Sequence, residues 1–179
     1  MEAFSKFIAI ILVAIALFVV PVVHMGEQKD AITQSYVSER VTAFVEDVKK
    51  QGRITQGMYD KFLADLDDTN VVYDISMTHT HTEVSPTFTK DGSVEEVKEY
   101  DMCYYTEEIL DGIYSHEADT NAGEVNGEYR LSKGDYFTMT VTNKHSTLAT
   151  KIRSRVFETE FPKTSIYVIY GGRIQDENY

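Results

Sequence analysis

His79, His81 and Glu83 stand in the run HTHTE, two imidazoles and a carboxylate at every second position. In an extended strand alternate residues project to one face, so this spacing could gather ligands of the kind zinc or another transition metal takes. The same run also reads as the solvent-facing end of a threonine-rich strand, and the sequence points to no fourth ligand beyond the candidates His116 and His145. Asp65, Asp67 and Asp68, and further on Glu117, Asp119, Asn121 and Glu124, offer oxygen ligands for calcium. Neither group has the twelve-residue pattern with a central glycine and a closing glutamate, and turn chemistry accounts for both. Cys103, the single cysteine, lies among Tyr100, Tyr104 and Tyr105. It could be a nucleophile if the fold brought a histidine near; a small buried side chain is the plainer expectation. No G-x-S-x-G, H-E-x-x-H or glycine-rich phosphate loop occurs. The expectation is a protein that is not an enzyme, with no cofactor and no catalytic residue.

The elements that would hold these residues divide the chain unevenly. The 179 residues carry a net charge of −12, which excludes nucleic-acid binding through a basic surface. A lone cysteine excludes an internal disulfide framework. Apolar residues are concentrated at the N-terminus, where Phe7–Val23 reads FIAIILVAIALFVVPVV without a charge. That length sits at the lower end of what crosses a hydrocarbon core about 30 Å thick as a helix. Pro21 falls near the end of the run, where a membrane helix tolerates it. Ala9, Ala14 and Ala16 would let another helix approach closely, with Ile15 and Phe18 supplying bulk. Lys6 and the terminal amine, set against Glu2, give a weak bias toward a cytoplasmic N-terminus. A cleaved signal is the alternative, but the charged start is poor, the run is long, and no small-residue cleavage site follows Val20.

Beyond the apolar run, Val37, Val41, Phe44, Val45 and Val48 mark one stripe of a helix that Gly52 would cap. Anchor and stalk could therefore be one helix of about 45 residues. Thr55 is placed to cap a second helix, Gln56–Asp67, with Met58, Phe62, Leu63 and Leu66 inward. Asp67–Asn70 breaks the chain, and Val71–Met77 alternates as a strand that weakens through Glu83 and stops at Ser85-Pro86. Phe88–Tyr100 has no clear pattern. Tyr104–Tyr114 predicts a short helix with Ile109, Leu110 and Ile113 inward, and Ser115–Gly127 a polar loop. Asp135–Thr142 is the clearest strand, with Phe137, Met139 and Val141 on one face. Ser146–Phe157 predicts a helix, and Ser165–Tyr170 a last strand closed by Gly171-Gly172. Tyr167 and Tyr170 are ordinary sheet residues or part of a tyrosine-rich contact surface. The sum is an α+β chain: a transmembrane anchor at 1–25, an amphipathic stalk helix at 26–52, and an extracytoplasmic head at 53–179 with a small antiparallel or mixed sheet packed on the stalk.

The N-terminal MEAFSKFIAIILVAIALFVVPVVHM, the stalk Tyr36–Lys50, and the head segments GDYFTMTVTN and IYVIYGG together resemble type IV pilin-like proteins. The nearest kind is the pseudopilin-like membrane proteins of bacterial tight-adherence pilus systems. The resemblance implies a single-pass protein of the plasma membrane and cell surface, serving as a minor subunit or assembly accessory of a pilus. Its partners would be the lipid bilayer and other pilin-like subunits, or copies of itself, through the N-terminal helix. Pilins carry a glutamate near the mature N-terminus; here Glu2 is the only acid before Glu27, and the resemblance gives it the role of pairing with a neighbouring subunit's terminal amine. A different expectation is an anchored extracytoplasmic module that binds a ligand or metal, with His79 and His81 as its site.

Overall fold

A computed structural model of the chain describes residues 2–88, 94–114, 127–147, 150–151, 154–155 and 166–175. Helix α1 runs unbroken over Glu2–Gln51, 50 residues and about 75 Å at 1.5 Å per residue. Pro21 sits inside it and withholds only one backbone hydrogen bond. The helix ends where the sequence asks it to. Gly52 turns into the left-handed region at φ 63°, and its N–H donates to the Val48 carbonyl at 2.8 Å. Strand β1 (Arg53–Thr55) and helix α2 (Gln56–Asp67) follow, with the Thr55 hydroxyl accepting from the Met58 N–H at 3.3 Å as an N-cap. Asn70, at φ 55°, takes the tight turn after α2.

The remaining elements are β2 (Tyr73–Phe88), β3 (Val94–Tyr105), α3 (Thr106–Tyr114), β4 (Glu128–Arg130), β5 (Tyr136–Asn143) and β6 (Tyr167–Arg173). Strands β3-β2-β5-β6 form one sheet in that order, every pairing antiparallel, and β1 pairs with β4 in a second, two-stranded sheet. The fold is α+β. Phe137, Met139 and Val141 alternate inward from β5, and the stripe Val37, Val41, Val45 and Val48 is completely buried against that face. Packing, rather than helical propensity, therefore holds the second half of α1 in place. Phe44 meets Phe62 of α2 with ring centroids 4.9 Å apart, and Ile109 and Ile113 of α3 close the same core.

Several expected boundaries move. β2 does not stop at Pro86, which sits opposite Val97 of β3. β5 accompanies β2 only as far as Thr80↔Tyr136, so among the described residues no strand pairs with that side of the outer part of β2, where a residue lacking an N–H is tolerated. Beyond that point β2 and β3 form a two-stranded arm. Tyr104 and Tyr105 belong to β3, and α3 begins at Thr106. Gly171 and Gly172 do not close β6; the strand passes through them to Arg173. A Cβ on Gly171 would lie 2.6 Å from Thr138 Oγ1 and 2.7 Å from the Phe137 carbonyl, and one on Gly172 would lie 2.9 Å from Lys49 Cε. Close approach of β6 to β5 and α1, not a turn, is what these glycines provide. The loop expected over Ser115–Gly127 lies, but for Gly127, outside the described residues. Of the helix expected over 146–157, residues 150–151 and 154–155 are described as helical.

Candidate functional site

Strand alternation places His79 and His81 on the same face of β2, as their spacing requires. Register carries β5 past His79↔Phe137, so that Asp135, one residue before the strand, arrives opposite His81. Asp135 is fixed there by a turn in which Gly134 has φ 96° and the Asp135 N–H reaches the Ser132 carbonyl. Its carboxylate is 5% exposed and gathers three partners. Oδ2 lies 2.7 Å from His79 Nε2 and accepts the Ser132 N–H at 2.8 Å, and Oδ1 lies 2.7 Å from His81 Nδ1. His79 Nδ1 meets the Tyr129 hydroxyl at 2.7 Å. The His79 ring stacks on Tyr104 at 5.3 Å and meets Tyr129 edge-on at 5.6 Å.

These partners assign the protons. An ionised Asp135 accepts, so His79 donates from Nε2 and His81 from Nδ1; His79 Nδ1 then accepts from the Tyr129 O–H. Both ring nitrogens of His79 are satisfied in the neutral form. Burial pushes its pKa below the ordinary histidine value, against the pull of the hydrogen bond and charge of Asp135. The arrangement is a closed hydrogen-bond network that ties β2, β4 and the entry to β5 together.

The metal candidates are thus brought together only in part. His79 and His81 converge, but on a carboxylate at hydrogen-bond distance. Glu83 lies exposed on the outer arm opposite Tyr100. Among the described residues no group of three His, Cys, Asp or Glu has the geometry to hold a metal ion. His145 is exposed near the far end of β5, its carbonyl accepting from the Asn143 side chain at 2.7 Å, and His116 lies outside the described residues. Asp65 pairs with Arg40 at 3.8 Å, while the backbone carbonyls of Asp67 and Asp68 accept from the N–H and side-chain amide of Asn70 in the turn after α2. Glu117, Asp119, Asn121 and Glu124 lie outside the described residues. Cys103 is exposed, against expectation. It pairs with Thr80 on the sheet face that α1 does not cover, so its aromatic neighbours in sequence do not enclose it. Sequence reasoning missed Asp135 and Tyr129; an acid immediately after Lys133-Gly134 and before the strongest strand was the available signal.

The other conspicuous feature is the first half of α1. Ala9, Ala14, Ile15, Phe18 and Pro21 all lie on a stretch exposed to the surroundings, with Phe18 at 74% and Leu17 at 67%. An 18-residue window of this helix has a mean hydropathy of 2.9 and no buried share. One helix is therefore long and apolar enough to cross a membrane, a property that signal sequences share. The same helix continues without interruption into the stripe that forms the head's core. Comparison with protein-family models, curated proteins and solved structures gives no match.

Proposed function

We propose that this chain is a non-enzymatic, single-pass membrane protein of pilin-like design, a minor subunit or assembly accessory of a bacterial surface filament. One observation carries the reading: a bare apolar rod and the buried stripe of a sheet-packed head are consecutive halves of one helix. An apolar surface of this size has no stable place in water. In lipid it stores the subunit, with the N-terminus cytoplasmic and the head extracytoplasmic. In a filament the same surface would pack against the rods of other subunits, Ala9 and Ala14 allowing close approach, Ile15 and Phe18 filling space, and Glu2 reaching a neighbour's terminal amine. Because α1 enters the head as one helix, a rod packed in a bundle would orient its head. Ile15→Arg tests this: the variant should leave the membrane fraction and filament yield should fall to background. Unchanged retention and yield would refute the reading.

A second reading, an anchored ligand- or metal-binding module, draws on the convergence of His79 and His81. Zinc titration of the full chain in detergent separates the two. Stoichiometric binding that disappears in a His79→Ala/His81→Ala variant would favour the module, whereas the closed network around Asp135 favours none.

A further inference from the structure

Where α1 emerges from the head, a cavity of about 370 Å³ opens between the helix and the base of the sheet. Val22, Val71 and Val72 give it an apolar wall; Lys29, Thr147 and Lys151 line the polar side. Asp30 is the one carboxylate of the lining, and the Thr147 hydroxyl donates to its Oδ2 at 2.6 Å. Lys29 and Lys151 form no ion pair among the described residues. Lys144 is exposed, its N–H on the carbonyl of Val72. The lining thus carries two lysines against one carboxylate, in a chain whose net charge is −12.

Depth along the helix gives the cluster its meaning. If the hydrocarbon edge lies at Val23, Gly26 stands about 5 Å and Lys29 about 9 Å beyond it at 1.5 Å per residue. Lipid head groups reach about 5–8 Å beyond the core on each side, so Gly26 lies within that layer and Lys29 just past it, within reach of a long side chain. The lining includes Val22, on the lipid side of this boundary, and Lys29, on the water side. We infer that the cavity binds the phosphodiester head group of an anionic phospholipid in the leaflet facing the head, so that the base of the head rests on the membrane. Val22, Val71 and Val72 take the glycerol end, and Lys29 and Lys151 the phosphate. The inference rests on the reading of α1 as a membrane anchor.

The test uses the full chain in nanodiscs made from equal parts of phosphatidylcholine and phosphatidylglycerol, with retained lipid counted by native mass spectrometry. Wild type should hold phosphatidylglycerol preferentially, and Lys29→Gln/Lys151→Gln should lose about fivefold in that preference for each lysine removed. Lys29→Arg/Lys151→Arg should keep it, as should Lys133→Gln at the opposite end of the head. A wild type without preference, or a glutamine variant that keeps it, overturns the site while the chain stays in the disc. A chain that never enters the disc overturns the anchor reading itself.

Discussion

Replacing Asp135 with alanine removes one carboxylate and leaves three donors without a partner: His79 Nε2, His81 Nδ1 and the Ser132 N–H. His81 is partly exposed and can turn to water, so its loss is small. His79 is 4% exposed, and the backbone N–H of Ser132 is held in its turn. A buried donor stripped of its acceptor costs about 1–3 kcal/mol, so two give about 2–6 kcal/mol. A domain of this size is stable by about 5–15 kcal/mol, so the variant spends a large part of that margin. At about 2–4 °C per kcal/mol the melting temperature should fall by roughly 8–16 °C for a mid-range loss of about 4 kcal/mol. Near-UV circular dichroism of the tyrosines, with the full chain in detergent, follows the head without interference from the helical rod. Tyr129→Phe removes the donor to His79 Nδ1 and should cost about 1 kcal/mol. Because these residues share one network, a double variant should cost less than the sum. A melting temperature for Asp135→Ala within about 2 °C of wild type would refute the account of a closed, satisfied network.

Three further outcomes follow from the same geometry. The folded pKa of His79 lies below its unfolded value near 6.5, so its contribution is intact above that value and is lost as pH falls through it toward the folded pKa. Wild type should therefore destabilise on acidification from about pH 7 to about pH 5 relative to His79→Gln, and parallel curves would contradict the neutral assignment. The Tyr114 hydroxyl donates to Asp60 at 2.6 Å, which with burial raises its pKa to about 12. Its contribution is present below about pH 10 and lost as pH rises toward 12. Asp60→Asn should move one phenol in a 295 nm titration back toward the ordinary range, and an unchanged curve would count against the bond. Gly171→Ala should cost about 1–3 kcal/mol by forcing β6 off Thr138 and Phe137, measured by denaturant unfolding, and a neutral result would mean the strand can shift freely.

The helices were legible in the sequence because their signals are local. The valine stripe, Gly52 and Thr55 each act within a turn or two, and α2 occupies the span its cap and breaker define. β5 was legible because one face is wholly buried, giving a clean alternation. β3 was not, because it is an edge strand whose Tyr100, Met102 and Tyr105 are exposed, so no face is marked by apolar residues. Tyr59 is buried on α2 although its hydroxyl reads as a surface group; its place depends on Phe44 of α1, whose ring it meets at 6.3 Å. The candidate site shows the same division. Spacing put His79 and His81 on one face, whereas Asp135 reached them only through the β2–β5 register, a fact of tertiary structure. Cys103 was misplaced for a like reason: its exposure depends on which sheet face α1 covers.

Retention of the rod is the claim on which the account stands. Membranes washed in alkaline carbonate, followed by intact-mass measurement of the extracted chain, test it most directly. The account predicts a chain that resists the wash and whose mass includes Phe7–Val23. A species that begins beyond His24 and is released into the wash would contradict it.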